Sequence, residues 1–278
     1  MQQLPILKIN QAFIYRKIGF SIVLALSFFF NWNSAIGQTT TRYQQFSNEF
    51  ADVESLGKKW TLEFNLGQSY TSIPPNNHSP FAKASQFYVR GWAHYYPSSR
   101  WKLSYFFALF GNVSIPDIEQ SKNFEIRSAL QGTYYINKIG YSLLTRFRIE
   151  DRRIQNDAKT FEAYYRLRTQ LKYTQPLNGK VIRKGIYYAV ASDELFVKTQ
   201  AAITGKDFFD RNRLTLGGGY ALSDDTQIEL LYSNEWLPRS SGNLVYNTYQ
   251  INFSFTDLFR KYKDKNKTRE MHSVDNGN

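Results

Sequence analysis

The sequence has no cysteine and only three histidines among its 278 residues. Without cysteine the chain forms no disulfide, and it has no thiolate to act as a nucleophile or to bind a metal. The three histidines, His78, His94 and His272, are far apart in the sequence and lack the spacing of zinc ligands. We therefore expect no metal and no other cofactor.

Long hydrophobic runs are also scarce, and the clearest one stands near the start of the chain. Residues 18–30 are largely apolar, follow two basic residues, and precede a small-x-small cleavage pattern that ends at Gly37. A run of this length is short for a spanning helix, which needs about 20 residues. The pattern therefore predicts a secretory signal peptide over 1–37 rather than a transmembrane anchor.

The chain is basic, with a formal net charge of +12. A basic surface interleaved with aromatic residues is the usual mark of a nucleic-acid-binding protein. Here, however, most arginines alternate with apolar residues inside predicted strands, and the remaining excess lies at the two ends of the chain. We therefore expect no nucleic-acid partner.

The feature that organises the sequence is residue-by-residue alternation, which is strongest between 141 and 173. Side chains of a strand point to opposite faces in turn, so this stretch has an apolar face and a densely charged face. Leu143 and Phe147, for example, lie opposite Arg146 and Arg148. A membrane barrel requires this pattern, and the 20 tyrosines and 22 phenylalanines suit its aromatic girdles.

Alternating segments recur along the chain with turn residues between them. We predict strands near 42–54, 60–72, 84–96, 101–114, 123–136, 141–154, 160–175, 185–198, 208–222, 226–237 and 244–257. Tight turns and longer connections tend to alternate, as in outer-membrane barrels with short periplasmic turns and long outer loops. The sequence thus predicts an all-β fold: an antiparallel up-and-down transmembrane β-barrel of about 10–12 strands, in the outer membrane of a Gram-negative bacterium.

The odd number of segments conflicts with a fully antiparallel barrel and leaves two alternatives. Either a further strand near 38–43 brings the count to twelve, or the barrel begins at Trp60 with ten strands and residues 38–58 lie outside it. The predicted barrel domain is 38–259, and in the second alternative its first part, 38–58, lies outside the closed barrel. The charged, apolar-poor stretch 260–278 is predicted to be a disordered tail.

Several motifs carry a resemblance to a known family. They are YYRLR at 164–168, FFDRNRL at 208–214, GGGY at 217–220 and IELLY at 228–232. With these motifs, residues 40–258 resemble the outer-membrane β-barrel family filed as domain of unknown function 2490, which is common in Bacteroidota-type bacteria. The resemblance implies a barrel and an outer-membrane location. It implies no activity, substrate or catalytic residue.

Many charged residues are predicted to face the barrel interior. They are Glu63, Arg90, Glu125, Arg127, Arg146, Arg148, Glu150, Arg152, Glu162, Arg166, Arg168, Arg211, Arg213, Glu229 and Glu235. Desolvating so many charges is costly unless they are paired or hydrated. The favoured interpretation is a set of Arg–Glu pairs that braces the wall. The alternative is a narrow passage that prefers anions, because arginine outnumbers glutamate in this set.

These interpretations define the expected partners. We expect the outer-membrane lipid as the surroundings of the barrel, and the anion-passage alternative adds a small anionic solute. The pattern carries no indication of an oligomeric state.

We expect no enzymatic activity, although one alternative remains open. A barrel hydrolase needs a nucleophile and a general base, commonly histidine. His94 is the one candidate base, on the predicted face of Arg90 and Trp92, with Ser104 on the neighbouring segment. The favoured interpretation is a hydrogen-bonded lumen histidine. The alternative is an outer-membrane barrel enzyme acting on lipids, of the phospholipase or acyltransferase type, in which His94 meets a serine and an acid.

The signal-peptide prediction is testable on the exported protein. Because the small-x-small pattern ends at Gly37, mass spectrometry of the mature chain should show Gln38 as its first residue. Recovery of the uncleaved chain in the inner membrane would contradict the prediction.

Overall fold

The computed structural model describes residues 39–116 and 121–260. The predicted signal peptide and the predicted tail beyond residue 260 lie outside the described residues. Eleven strands are described: β1 (Thr40–Ser55), β2 (Trp60–Thr71), β3 (Lys83–Tyr95), β4 (Trp101–Ser114), β5 (Ser121–Asn137), β6 (Ser142–Gln155), β7 (Phe161–Pro176), β8 (Tyr187–Lys198), β9 (Phe209–Ala221), β10 (Thr226–Leu237) and β11 (Asn243–Thr256). Each strand begins and ends within two residues of its predicted segment, because the hydrophobic alternation and the turn residues mark the same boundaries.

The eleven strands form one closed barrel in which consecutive strands are neighbours. The all-β barrel prediction is confirmed. Both alternatives for the strand count, ten and twelve, are wrong. The barrel closes by pairing β1 with β11 in parallel, from Thr40 opposite Asn243 to Val53 opposite Thr256, while every other neighbouring pair is antiparallel. One parallel pair is what allows an odd number of strands to close, so residues 40–55 belong to the wall.

Parallel closure places the two ends of the barrel strands at opposite rims. We call the rim that holds the first residue of β1 the loop rim, and the rim that holds the last residue of β11 the turn rim. The loop rim carries the connections after β2, β4, β6, β8 and β10. The turn rim carries the connections after β1, β3, β5, β7 and β9, which are short except for 177–186.

The β1–β11 seam is anchored at both rims. At the loop rim the Asn243 amide donates to the Thr39 carbonyl over 2.8 Å, and at the turn rim the Asp257 amide donates to the Val53 carbonyl over 2.9 Å. The Asp257 carboxylate also accepts a hydrogen bond from the Ser55 amide over 2.8 Å. Parallel pairing is slightly weaker per residue than antiparallel pairing, so this seam depends on its length and on these end contacts.

The outer face of the wall is apolar and aromatic over most of its circumference. Phe64, Leu66, Val89, Phe147 and Ile149 are exposed there. Around the turn rim, aromatic rings pair across neighbouring strands. The pairs and their centroid distances are Trp60–Tyr95 at 4.7 Å, Trp101–Tyr134 at 5.0 Å, Tyr141–Tyr173 at 5.5 Å and Tyr187–Tyr220 at 4.5 Å.

One row of the outer face is polar, which the sequence pattern did not predict. It crosses β8 to β11, and its members bond to one another. Asn212 donates to Asp193 over 2.7 Å, and Asn234 donates to Asn247 over 2.9 Å. Mutual hydrogen bonding lowers the cost of removing these groups from water. Because successive side chains of a strand point to opposite faces, these residues point outward where their strand neighbours Glu194 and Glu235 point inward.

The parallel seam can be tested with paired cysteines, since the chain has none of its own. Ser47 and Gln250 are Cα partners across the seam, and neighbouring strands lie about 4.7–4.9 Å apart, within the range of a disulfide. The Ser47→Cys/Gln250→Cys variant should therefore crosslink under mild oxidation, which non-reducing gel mobility would show.

The matched control is Ser47→Cys/Ile251→Cys. It shifts one partner by a residue and places the two sulfur atoms on opposite faces of the wall, so it should not crosslink. Absence of the Ser47–Gln250 crosslink in folded protein would contradict closure by β1 and would favour a barrel that begins at β2.

Candidate functional site

The interior of the barrel has two differently filled parts. Toward the loop rim, five buried carboxylates and the arginines around them pack tightly. We call this network the brace, and its carboxylates are Glu125, Glu150, Glu194, Asp210 and Glu235. Toward the turn rim lies a polar cavity of about 530 Å³, which we call the chamber.

The register of β6 and β7 builds the centre of the brace. Arg148 lies directly opposite Arg168, and Glu150 lies directly opposite Arg166. Glu150 is fully buried, with 0% exposure, and three guanidinium groups converge on it. Arg166 and Arg168 each approach it within 2.7 Å, and Arg148 donates to it over 3.2 Å. The carboxylate thereby offsets the repulsion between cations that the strand register forces together.

Glu194 on β8 continues the brace toward β9. Arg168 donates to it over 2.9 Å and Arg146 over 2.5 Å, so Arg168 bridges the carboxylates of β6 and β8. Glu235 on β10 then accepts from Arg213 over 2.8 Å and from Arg211 over 3.1 Å. The pairs therefore link successive strands into a continuous chain.

Two further acids belong to the brace. Glu125 on β5 binds Arg152 through both carboxylate oxygens, over 2.6 Å and 2.8 Å. Asp210, at the start of β9, binds Arg239 of the last loop over 2.9 Å and Arg211 over 3.2 Å. Because Arg239 lies in a loop, the Asp210 contact fastens that loop to the wall.

A single aromatic ring supports four of the guanidinium groups. Phe196 on β8 has 0% exposure, and arginine carbons lie over its ring at 4.4 to 5.9 Å. The arginines are Arg166, Arg168, Arg211 and Arg213. Cation–π attraction is stronger for desolvated cations, so Phe196 offsets part of the cost of burying this excess of positive charge.

The connection after β8 folds into the loop-rim mouth. Its short 3-10 helix (Ala202–Thr204) brings Ile203 against buried Ile154 and Tyr164. Glu162 accepts a hydrogen bond from the Ile203 amide over 3.0 Å. Glu162 therefore holds this connection rather than lining the chamber. The connection covers the loop-rim end of the barrel, which the brace already fills.

The chamber is strongly electropositive. Nine lysine and arginine side chains line it, against four glutamates. Lys102 and Lys172 have neither an ion pair nor a hydrogen bond within the described part of the chain. Lys102 lies in electrostatic range of Glu63 and of three cations, Arg146, Lys172 and Arg148. The Nε atom of Arg146 is buried and has no acceptor. Two lysine ammonium groups thus face the chamber with unused hydrogen-bonding capacity.

A serine, a histidine and a glutamate meet near the turn rim, where His94 and Glu63 line the chamber and Ser104 is buried beside His94, with 5% exposure. His94 on β3 has its Nδ1 atom 2.8 Å from the Ser104 hydroxyl of β4, and its Nε2 atom 2.9 Å from the Glu63 carboxylate of β2. His94 and Ser104 are cross-strand partners, so the strand register itself brings them together. These three residues face the lumen and not the lipid boundary.

Comparison with known proteins gives the family. The family model described as Protein of unknown function (DUF2490) matches residues 53–246. The chain belongs to the DUF2490 family. No curated protein matches this DUF2490 sequence.

Two solved structures are similar to this DUF2490 barrel. One is titled "Bacterial polysaccharide outer membrane secretin", at 12% identity and a TM-score of 0.46, covering 70% of this chain and 63% of that chain. This chain therefore spans less than two thirds of the secretin chain. The other is LpxR from Salmonella typhimurium, at 12% identity and a TM-score of 0.40, covering 71% of this chain and 83% of that chain. Likenesses at this level carry no argument about the site.

The DUF2490 structure places the predicted interior charges in three groups. Those in the chamber wall are Arg90, Arg127, Arg146, Arg148, Arg166, Arg168, Arg213, Glu229 and Glu63. Those packed in the brace away from the chamber are Glu125, Glu150, Arg152, Arg211 and Glu235. Glu162 is at the loop rim.

Sequence reasoning missed three interior acids of the DUF2490 barrel. Glu194 follows inward-facing Tyr188, Val190 and Ser192, so its strand did not show a charged face. Asp210 lies at a strand start, where a bulge interrupts the alternation. Glu49 lies in the segment whose place in the wall was left open, and it accepts from Arg90 over 2.8 Å. The sequence could nevertheless have shown that Glu194 faces inward, because it follows the other inward-facing residues of β8 at alternate positions of the strand.

The brace makes a stability prediction for this DUF2490 barrel. Arg168→Leu removes a donor from both Glu150 and Glu194 and leaves buried carboxylates underpaired, at a cost of about 3–5 kcal/mol. The free energy of unfolding, measured by urea titration of protein refolded in lipid, should fall by this amount.

The matched control is Arg153→Leu. Arg153 is 58% exposed and pairs with Asp151 on the outer face, so its loss should change the free energy of unfolding by about 1 kcal/mol or less. Equal effects of the two variants would show that the brace does not stabilise the wall.

Proposed function

We propose that this DUF2490 protein is an integral outer-membrane β-barrel that is closed to large solutes and admits or holds small anions. The aromatic pairs at the turn rim and the apolar wall above them support a membrane location, since outer-membrane barrels carry an apolar band between aromatic girdles. Short connections at the turn rim support a periplasmic position for that rim.

The brace supports low conductance. A barrel of about eight strands is already filled by its side chains, and eleven strands here hold a continuous chain of arginines and carboxylates across β5 to β10. The segment after β8 packs Ile203 into the loop-rim mouth as well. A wide aqueous path is therefore not expected through this half of the lumen.

The cations of the chamber that form no salt bridge carry the proposal. Among the described residues, Lys102 and Lys172 line a cavity of about 530 Å³ without a salt bridge, although Glu63 lies in electrostatic range of Lys102. Buried cations without counter-charges are costly, and a small anion in the chamber would relieve that cost. A ring of cationic side chains favours anions over cations in any residual passage.

Planar-bilayer recordings of the purified protein test this function. We expect small conductance and a permeability ratio that favours chloride over potassium. The Lys102→Met/Lys172→Met variant should move the ratio toward unity, because it removes the unpaired charges from the chamber.

The matched control is Lys83→Met/Lys206→Met. It removes the same charge from exposed positions at the loop-rim end and should leave the ratio unchanged. Large, stable, cation-selective openings of the parent protein would contradict the proposal.

A further inference from the structure

We propose that Ser104, His94 and Glu63 form a hydrolytic site beside the chamber, with a small carboxylic ester that carries an anionic group as its substrate. This activity goes beyond the proposed holding of anions and does not require the barrel to conduct.

The three side chains have the connectivity of a nucleophile, a base and an orienting acid. The Ser104 hydroxyl lies 2.8 Å from one ring nitrogen of His94, and the Glu63 carboxylate lies 2.9 Å from the other. Both distances are within the hydrogen-bonding range that nucleophile activation needs. The residues come from three consecutive strands, so the backbone ladders of the wall hold them in place.

Glu63 selects the tautomer in which His94 acts as a base. An ionised carboxylate only accepts hydrogen bonds, so the Nε2 atom of His94 carries the proton that Glu63 accepts. The Nδ1 lone pair is then free to accept the Ser104 hydroxyl proton. The same logic orients histidine in the known serine triads, where an acid holds the imidazole in the productive tautomer.

A polar support fixes Glu63 in turn. The side-chain amide of Asn65 donates to the second carboxylate oxygen of Glu63 over 2.9 Å, and the Nε–H of Arg90 donates to the Asn65 Oδ1 atom over 3.1 Å. Asn65 is almost fully buried, with 1% exposure. Glu63 therefore has little freedom to turn away from His94.

The surroundings fit an anionic ester. His94, Lys102 and Gln131 all line the chamber. Gln131 on β5 lies directly opposite Ser104 on β4. Lys102 lies two residues before Ser104 on the same face. An anionic group held by Lys102 would therefore place an ester beside the Ser104 hydroxyl.

An unpaired donor is available for the developing oxyanion. The ring of Trp92 stacks on His94 with centroids 5.5 Å apart, and its buried Nε1–H has no hydrogen-bond partner. Donors aimed at the position of the oxyanion lower the barrier of acyl transfer. Trp92 Nε1–H is the candidate here.

The reaction needs only water as a co-reactant. Ser104 Oγ attacks the ester carbonyl carbon while His94 Nδ1 takes its proton. The tetrahedral intermediate collapses, the bond from carbon to the alcohol oxygen breaks, and His94 returns the proton to the leaving alcohol. Water then attacks the acyl-serine with His94 again as the base, which releases the carboxylic acid and restores the Ser104 hydroxyl.

The first experiment is covalent labelling of the refolded full-length barrel with phenylmethylsulfonyl fluoride. Sulfonylation with loss of fluoride should appear on the peptide that contains Ser104, and His94→Gln should reduce its rate about 100-fold or more, because the base is lost. Ser69→Ala is the matched control, since Ser69 is another inward-facing serine without a histidine partner, and it should label at the parent rate.

The second experiment measures hydrolysis of para-nitrophenyl hydrogen succinate, an anionic ester, and of para-nitrophenyl acetate, a neutral one. Ser104→Ala should abolish turnover of both, and Lys102→Met should raise the KM for the anionic ester alone. Boiled and unboiled gel mobility confirms that each variant is folded.

Absence of labelling at Ser104 in the folded parent, or turnover unchanged in Ser104→Ala, would overturn the proposal and leave His94 as a structural lumen histidine. Neither result depends on ion selectivity, so failure of this proposal is distinguishable from failure of the proposed function.

Discussion

The requirement that every strand edge be paired shapes this protein. Eleven strands close only if one neighbouring pair runs parallel, and β1 with β11 is that pair. Closure has a second consequence, because it separates an outer face from an enclosed interior. Charges that alternate inward on β5 to β10 are removed from bulk water there, and burying them is costly unless they are paired.

The brace and the chamber are two outcomes of that interior constraint. Where acids fall in register with arginines, as Glu150 does between Arg148, Arg166 and Arg168, the charges neutralise one another and fill the lumen. Toward the turn rim the acids are fewer, and within the described residues Lys102 and Lys172 form no salt bridge. The excess of positive charge is costly to bury inside the barrel. The same excess makes the chamber a place where an anion is stabilised.

The hydrogen-bonded group of Ser104, His94 and Glu63 lies beside this electropositive chamber. Histidine in a polar lumen is expected to find hydrogen-bond partners, and a purely structural role was the favoured interpretation of His94. The structure gives His94 the serine and the acid that the enzymatic alternative required, although inside the lumen and not at the lipid boundary. The expectation that the chain is not an enzyme stays a prediction, and the reactivity of Ser104 decides it.

The sequence by itself determined the strands and their inward and outward faces, because alternation with a period of two and turn chemistry are local properties. The family followed from the resemblance of a few short motifs. The sequence also identified most of the interior charges by parity alone. Only the tertiary structure decided the strand count, since parallel closure joins residues about 200 positions apart and leaves no local mark.

Pairing within the lumen was likewise a tertiary outcome. The positions of Arg168 between Glu150 and Glu194, and of Glu63 beside His94, depend on the register of neighbouring strands, because a shift of one residue would turn each side chain to the other face.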